Sequence, residues 1–377
     1  MGPGRARPDP HRAAGRADHP APTDPRRRAP AAGRRPRAGE GGDPGPDLWA
    51  ARGSARAAGA AGPPAWRGLD PRRGGCRAGP ATGSGGRDGI AIAAGLGRGV
   101  SGPDRLVRST DGTPIAVFES GVAEPGTRPL VLVHGTTADH LTFRVVGPLL
   151  GRRRRLFSID RRGRGASGDG VGTGVGYAIE CEFKDVAAVA EALAAEHGGP
   201  VDVVGHSYGG RCALGASLVT PSIRRVVCYE GAPAPAGWPY QPDDLAARLG
   251  AHLDQGDPAT ALETFFREVV GFDDAAMADF RASPVWPLRV AAAHTIPREL
   301  DAERSPAASL DALGGVTVPV LQVLGTASKP AFHEATAALD ARLVLGSVAH
   351  IEGAAHAAHH THPDAFVLAV EAFLGRA

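Results

Sequence analysis

A serine flanked by glycines is the first feature of the sequence that could do chemistry. Residues 205–209 read Gly-His-Ser-Tyr-Gly, which matches the pattern Gly-x-Ser-x-Gly. They follow an aliphatic run at 201–204 and precede a segment of small residues with helical character. In this context the serine occupies a sharp strand-to-helix turn that exposes its hydroxyl, and the helix N-terminus favours negative charge developing beside it. The pattern therefore predicts that Ser207 is a nucleophile.

A serine hydroxyl needs a base, and His356 is the candidate that we favour. It follows an extended segment and the small residues 353–355, and Pro363 opens the last helix seven positions later. A loop at this place can carry the imidazole over the carboxyl edge of a sheet, where Ser207 is expected. The remaining histidines of this region are expected on a solvated loop or at the helix start: His350, His359, His360 and His362.

A metal site is the alternative interpretation of this histidine cluster. Five histidines lie between positions 350 and 362. No carboxylate-rich set of partners accompanies them, so we expect no metal.

The imidazole in turn needs a carboxylate that fixes its tautomer and stabilises the imidazolium. The turn after the apolar run 319–324 is one expected place, but residues 325–328 read Gly-Thr-Ala-Ser. Glu230 ends the preceding apolar run and gives the chain order serine, acid, histidine. We therefore predict Glu230 as the acid. The alternative is an ordinary charge at a strand end.

An oxyanion hole needs two backbone N–H donors. Tyr208, directly after the nucleophile, supplies one. Thr136, which follows the apolar run 130–134, supplies the other. His134, at the end of that run, is interpreted as a hydrogen-bonded anchor of the loop.

Two further patterns suggest binding sites but lack the necessary context. Residues 163–168 match the dinucleotide pattern G-x-G-x-x-G, yet Arg161 and Arg162 separate them from the preceding strand and no helix follows at once. We therefore predict no dinucleotide site and no cofactor. The arginine run 152–155 is interpreted as a solvated loop rather than as a nucleic-acid patch.

The elements that must position these residues alternate between short strands and longer helices. Strands are predicted at 115–119, 130–134, 155–160, 201–204, 225–230, 319–324 and 343–351. Helices are predicted at 177–197, 211–219, 331–341 and 363–374. Such alternation favours an α/β fold with a mostly parallel sheet covered by helices on both faces.

The alternation stops between residues 230 and 318. Apolar residues there recur at helical spacing, at 245–253 and 260–270, which predicts a helical cap insertion at about 233–315. Most of the bulky side chains lie in it: Trp238, Tyr240, Phe265, Phe266, Phe272, Phe280 and Trp286. They form the core of the insertion, line a pocket, or do both. The insertion, with Trp238, Phe265, Phe266 and Trp286, suggests a moderately apolar substrate, and periodicity alone does not assign these side chains to the pocket or to the core.

The N-terminal part of the chain has a different composition. Residues 1–88 carry 17 arginines against 8 acidic residues, whereas residues 89–377 carry 25 basic and 32 acidic residues. With almost no aliphatic runs, residues 1–100 are predicted to be a disordered Arg/Pro/Gly/Ala-rich tail before a domain at 101–377. A nucleic-acid-binding tail and a transit peptide are alternatives, but neither aromatic interleaving nor amphipathic periodicity is visible. We favour a true start downstream of this tail.

Partners and compartment follow from similar considerations. Residues 89–97 are mildly apolar but too short to span a bilayer, so no membrane partner is expected. The four cysteines have no metal-ligand spacing. We expect a cytoplasmic, reduced protein with a small-molecule substrate and no nucleic-acid partner. Nothing in the sequence indicates an oligomeric state.

Four stretches together resemble the α/β-hydrolase superfamily, in particular its capped, single-domain bacterial members. They are residues 130–137, 160–168 and 205–210 and the Ala-His pair at 355–356. The resemblance covers about residues 104–376. It implies a mainly parallel eight-stranded sheet flanked by helices, a cap after the sixth strand and a site at the carboxyl ends of the strands.

The resemblance also implies a role for each candidate residue. By that likeness Ser207 is the nucleophile, His356 the base, and Thr136 and Tyr208 the oxyanion donors. Some relatives have their acid after the sixth strand, which fits Glu230. Members with an aspartate nucleophile, such as haloalkane dehalogenases and epoxide hydrolases, are disfavoured by Ser207.

These features predict a carboxylesterase-like serine hydrolase that cleaves an ester-like bond of a small, moderately apolar substrate through an acyl-enzyme. One alternative keeps the fold but changes the chemistry to a lyase or a cofactor-free proton transfer. Another is a non-catalytic ligand-binding protein.

Overall fold

A mostly parallel sheet forms the centre of the protein. The computed structural model describes residues 102–170 and 176–375, so the predicted tail of residues 1–100 lies outside the described residues. Within them, eight strands form one sheet in the order β1-β2-β4-β3-β5-β6-β7-β8. The strands are β1 (Arg105–Arg108), β2 (Pro114–Gly121), β3 (Leu130–Val133), β4 (Arg155–Ile159), β5 (Val201–His206), β6 (Ile223–Tyr229), β7 (Val320–Gly325) and β8 (Gly346–Ile351).

In the described residues, β2 pairs in antiparallel fashion with β1 and with β4, and the pairs from β4 through β8 are all parallel. The prediction of an eight-stranded, mostly parallel sheet is therefore confirmed. Strand β1 was not predicted from the sequence. This edge strand alternates half-buried and exposed residues and has no continuous apolar run, so its pairing with β2 defines it.

Helices cover both faces of the sheet. They are α1 (Gly147–Leu150), α2 (Ile179–His197), α3 (Tyr208–Ser217), α4 (Leu245–Asp254), α5 (Pro258–Phe265), α6 (Asp274–Ala282), α7 (Trp286–Ala291), α8 (Ile296–Ala302), α9 (Leu310–Leu313), α10 (Pro330–Asp340), α11 (Ala358–Thr361) and α12 (Pro363–Leu374). Short 3₁₀ helices occur at His140–Phe143, Ala293–Thr295 and Pro306–Ala308, and a π-helix at Phe266–Val270 follows α5. None of the helices in the described part of the chain is both long and apolar enough to cross a lipid bilayer.

Strand β3 shows how the core is divided between the two faces. Its four residues are fully buried, as expected of a strand covered on both sides. Val131 and Val133 pack with side chains of α2 and α3, whereas Leu130 and Leu132 pack with side chains of α1 and α12. Alternate residues of one strand thus contribute to opposite cores, as the two-residue period requires.

The chain between β6 and β7 contains helices but no strand. We call residues 231–319 the helical segment. It has an apolar cluster of its own, in which Leu249, Leu262 and Leu300 are buried. The predicted helix over 260–270 changes to a π-helix at Phe266, so its last turn is wider than the pattern indicated.

Buried charges connect the helical segment to the rest of the fold. Arg161, which follows β4, donates to Glu182 of α2 at 2.7 Å and to Glu299 of α8 at 2.9 Å. All three side chains are buried. From the sequence, Arg161 was interpreted only as a residue that separates a glycine-rich pattern from the preceding strand. Nothing in the neighbouring sequence indicates that its partners lie 21 and 138 positions away.

The arginine run 152–155 also differs from expectation. Arg154 is buried, and its Nε donates to Glu371 Oε1 at 2.9 Å. The interpretation of the whole run as a solvated loop is therefore wrong at this residue.

Substitution of Glu299 by glutamine should destabilise the protein. The change leaves Arg161 and Arg164, which both contact this carboxylate, with one buried negative charge fewer. We expect the free energy of unfolding to fall by about 3 kcal/mol, because a buried charge loses its partner. Urea denaturation at neutral pH measures the change. Asp301→Asn, at an exposed position of the same helix, is the matched control and should change the value by less than about 0.5 kcal/mol. Equal urea midpoints for Glu299→Gln and Asp301→Asn would contradict a stabilising role of Glu299 as the partner of the buried arginines.

Candidate active site

Ser207 occupies the tight turn between β5 and α3. β5 ends at His206 and α3 begins at Tyr208, so the turn consists of Ser207 alone. The backbone there has φ 55° and ψ −126°, a conformation that L-residues rarely adopt. Ser207 N donates to the carbonyl of Tyr229 at 2.7 Å, which attaches the turn to β6. Strain of this kind costs about 1–3 kcal/mol and is concentrated at functional sites.

The glycines of the motif allow this turn to form. A Cβ on Gly205 would lie 2.3 Å from the carbonyl oxygen of Gly209. One on Gly209 would lie 2.3 Å from the carbonyl oxygen of His134. Because neither space accommodates a side chain, β5, α3 and the end of β3 approach closely only with glycine at both positions.

His356 contacts Glu230 across the ends of β6 and β8. The imidazole Nδ1 lies 2.6 Å from Oε2 of Glu230, whose side chain is fully buried. The imidazole is 11% exposed and stacks on Phe332 of α10, with 4.5 Å between ring centroids. With Nδ1–H donating to the carboxylate, Nε2 is the nitrogen left to accept a proton.

The turn after β7 holds the other oxygen of this carboxylate. Glu230 Oε1 accepts from the backbone N–H of Gly325 at 2.9 Å and from Ser328 Oγ at 2.6 Å. Residues 325–328 contain no carboxylate of their own. They instead donate two hydrogen bonds to the carboxylate of Glu230. Glu230 also has a positive φ of 46°, so its backbone, like that of Ser207, is held in an uncommon conformation.

Tyr229 fixes the loop that carries His356. Its hydroxyl donates to the carbonyl of Ala355 and accepts from the N–H of Ala358 at 2.7 Å. These two residues flank the His356 position on either side. Tyr229 directly precedes Glu230, so the end of β6 supplies both the carboxylate and the anchor of the imidazole loop.

The two predicted oxyanion donors lie near Ser207. Tyr208 is the first residue of α3, so its backbone N–H has no partner inside the helix. Thr136 follows Gly135, and a Cβ on Gly135 would lie 3.0 Å from Cβ of Ser207. Thr136, Ser207 and Tyr208 all line one cavity. Their role in holding an oxyanion stays a prediction.

Two neighbouring histidines are structural. His134 is fully buried, and its Nδ1 lies 2.8 Å from the carbonyl oxygen of Gly135. Its Nε2 accepts from the backbone N–H of Arg161 at 2.9 Å. These contacts agree with the interpretation of His134 as an anchor of the loop. No role was predicted for His206. The Nε2 of His206 donates to the carbonyl of His356 at 2.9 Å. Burial lowers its pKa well below the usual value, so this bond joins a neutral ring to the loop of the candidate base.

A cavity of about 530 Å³ contains the candidate residues. Ser207, His356, Thr136 and Tyr208 line its sheet side. The helical segment lines the opposite side, mainly with apolar side chains: Tyr240, Phe265, Phe266, Val269, Val270, Phe272 and Phe280. This size and lining suit a small molecule with an apolar body.

Four aromatic residues of the helical segment suggested an apolar substrate, and two of them, Trp238 and Trp286, do not line the cavity. Trp238 is 44% exposed and is not among the cavity residues. Trp286 packs edge-to-face on Phe280, with 5.4 Å between the ring centroids. Periodicity could not distinguish these positions from Phe265 and Phe266, because all of them lie in the same helical segment.

The histidine cluster also differs in part from expectation. His350 is exposed, but His359 is buried in α11, with its ring centroid 4.4 Å from that of His206. His359 thus lies at a helix start, one of its two expected places, although its side chain is buried, whereas His350 lies in β8 and in neither expected place. Among residues 102–170 and 176–375, no group of histidine, cysteine, aspartate or glutamate side chains has an arrangement that could hold a metal ion.

Comparisons with known proteins agree with this fold. Residues 130–370 match the model of the alpha/beta hydrolase family. An alpha/beta hydrolase from Sphaerobacter thermophilus is similar in structure, with a TM-score of 0.60 and 30% identity over 71% of this chain and 99% of that one. A comparison with curated protein sequences found no match.

Solved structures of lower identity show the same fold. An esterase from a Rhodococcus species has a TM-score of 0.54 and 24% identity, over 72% of this chain and 98% of its own. An enol-lactonase from Burkholderia xenovorans has a TM-score of 0.57 and 18% identity, over 72% of this chain and 100% of its own. The family match spans most of the described chain and includes the Ser207 turn, Glu230 and His356. This chain therefore belongs to the α/β-hydrolase family.

Proposed function

We propose that this protein is a serine hydrolase that cleaves an ester-like bond of a small, moderately apolar molecule through an acyl-enzyme on Ser207. The contact between His356 and Glu230 is the observation that carries the proposal. Its 2.6 Å separation orients one imidazole nitrogen, in a cavity that also exposes a serine on a strained turn. A binding protein would need neither the strained serine nor the oriented base.

Acylation uses these groups in turn. Ser207 Oγ forms a bond to the carbonyl carbon of the substrate while its proton moves to Nε2 of His356. The carbonyl oxygen becomes an oxyanion, which accepts hydrogen bonds from the N–H groups of Thr136 and Tyr208. Glu230 stabilises the imidazolium. The tetrahedral intermediate then loses the alcohol, which takes the proton from His356.

Deacylation repeats the sequence with water. Water adds to the acyl carbon as His356 removes its proton, and the second intermediate expels Ser207 Oγ, which recovers that proton. The products are a carboxylic acid and the free enzyme. No cofactor is needed for either half, and the apolar wall of the helical segment acts as a cap over the acyl-enzyme.

Replacement of Ser207 by alanine should reduce hydrolysis of 4-nitrophenyl butyrate by roughly 10⁴-fold or more, because the variant has no nucleophile. Release of 4-nitrophenolate measures the rate. Ser217→Ala is the matched control: Ser217 lies on α3, its hydroxyl donates to the carbonyl of Leu214 at 2.7 Å, and it does not line the cavity. Wild-type rates in Ser207→Ala would exclude this nucleophile.

A fluorophosphonate probe separates the proposal from its alternatives. The probe forms a bond between phosphorus and the oxygen of an activated serine, with loss of fluoride. Labelling that Ser207→Ala removes, together with ester hydrolysis, supports the proposal. Labelling without hydrolysis of any ester would favour a non-hydrolytic enzyme of this fold. An unlabelled wild-type protein would favour ligand binding alone.

Replacement of Glu230 by glutamine should lower kcat about 10³- to 10⁴-fold, because an amide cannot hold the imidazole in the required tautomer or stabilise its charge. Ser328→Ala, which removes one hydrogen bond to the carboxylate, should lower kcat only about tenfold. Glu334→Gln, an exposed change on α10, is the control. If Glu230→Gln behaved like this control, the acid would have to be another carboxylate.

A further inference from the structure

An arginine without an acidic partner lies in the cavity wall. Arg289 of α7 lines the cavity, and its Nη2 donates to Thr142 Oγ1 at 3.3 Å. Among the described residues, no carboxylate oxygen lies within the 4.0 Å of an ion pair from its guanidinium. The acidic group that acts on its pKa is Asp139, whose carboxylate accepts from the N–H of Leu141 at 3.0 Å.

A second cation lies close to Arg289. Burial lowers the pKa of Arg289 to about 10; Asp139 acts against this effect, and the positive charge of Arg144 adds to it. Arg289 therefore stays charged at neutral pH. Arg144, an exposed residue, also lines the cavity, and within the described part of the chain its guanidinium donates to the backbone carbonyl of Leu141 at 3.4 Å. Two positive charges thus repel each other at this end of the cavity.

Two imidazoles beside these arginines have unused polar atoms. Nδ1 of His359 and Nδ1 of His360 are buried and have no hydrogen-bond partner in the described residues. His359 Nε2 lies 3.4 Å from Oγ1 of Thr142, the hydroxyl that accepts from Arg289. Burial lowers the pKa of His360 to about 4, so this ring is neutral at pH 7 and can donate one N–H.

The other charged groups that line the cavity are already satisfied. Arg211 forms an ion pair with Glu303 at 2.9 Å, and Glu230 is paired with His356. Asp273 is exposed and accepts from the N–H of Ala276 at 2.8 Å, as the N-cap of α6. Among the described residues, the arginines of the cavity that form no ion pair, Arg144 and Arg289, thus lie together at one end, whereas most of the remaining wall is apolar.

We propose that the substrate carries a carboxylate in addition to its ester-like bond, and that this carboxylate binds to Arg289, with Thr142 and His360 completing the subsite. A guanidinium presents two parallel N–H donors that match the two oxygens of a carboxylate. The bound anion would neutralise the repulsion between Arg144 and Arg289 and supply a partner for a buried imidazole. The proposal rests on the proposed function for the ester bond, but the anion subsite can be tested without turnover.

The subsite and the nucleophile line the same cavity, so the subsite can select substrates. The ring of His359 lies in tilted contact with that of His206, 4.4 Å between centroids, and His206 directly precedes Ser207. The aromatic wall between the two ends fits an aliphatic or aromatic chain. The expected substrate class is therefore an acidic monoester or an acidic lactone with an apolar body.

Paired substrates test the subsite kinetically. The mono-4-nitrophenyl ester of adipic acid is compared with 4-nitrophenyl hexanoate, which has the same acyl length without the second carboxylate. In Arg289→Met, the ratio of kcat/KM for the acidic ester to that for the neutral ester should fall about 10- to 100-fold, as expected for loss of a charge-assisted bond. Arg342→Met, which removes a surface arginine paired with Asp311, is the control and should leave the ratio unchanged. An unchanged ratio in Arg289→Met would overturn the subsite, even if Ser207→Ala abolished both activities.

A binding measurement keeps the test independent of catalysis. Calorimetry with Ser207→Ala compares monomethyl adipate with dimethyl adipate, so that only one carboxylate differs. The charged ligand should bind at least about tenfold more tightly, and the preference should disappear in Ser207→Ala/Arg289→Met. If the charged ligand binds more tightly but the wild-type protein hydrolyses no ester, the proposed function is wrong and the anion subsite is supported. Equal affinity for both ligands in Ser207→Ala would remove the subsite.

Discussion

The positive φ of Ser207 is the constraint on which the rest of the site depends. A single residue turns the chain from β5 into α3, and the turn is held by its N–H bond to Tyr229 and by close contacts that exclude side chains at Gly205 and Gly209. A well-packed parallel sheet can maintain such strain because its strands are buried on both faces. The same carbonyl edge then presents the ends of β6 and β7, which is why Glu230 and the turn at Gly325 meet there.

Buried charge beside Tyr208, the residue that follows the candidate nucleophile, provides a second constraint on the site. The guanidinium of Arg161 lies 4.4 Å from the ring centroid of Tyr208, and its carboxylate partners come from α2 and α8. The Tyr208 hydroxyl lies 3.1 Å from that of Tyr177, which donates to Glu182. The first residue of α3 is thus in contact with the network that connects the helical segment to the sheet. The cavity is lined by the sheet side and by the helical segment, so its shape depends on the stability of the network that connects them.

Sequence reasoning succeeded where a local pattern is sufficient and failed where a partner is distant. The turn at Ser207 was predictable because glycine spacing, a strand and a helix all lie within about a dozen residues. Glu230 was reached by elimination and chain order, yet its hydrogen bonds with Gly325 and Ser328 come from a segment some 95 positions later. The burial of His359 and the position of Trp238 outside the cavity had no local sign, since composition alone does not say which face of an element meets the core.

The sequence by itself determined the fold class, the order of the elements and the residue types available for catalysis, because hydrophobic period and glycine placement act over short distances. Tertiary structure alone decided which of these residues meet. It placed His356 against Glu230, buried Arg161 between two carboxylates, and left Arg289 in the cavity wall without one. Charge pairing between distant segments depends on how the strands and helices pack, and no local pattern in the chain records that packing.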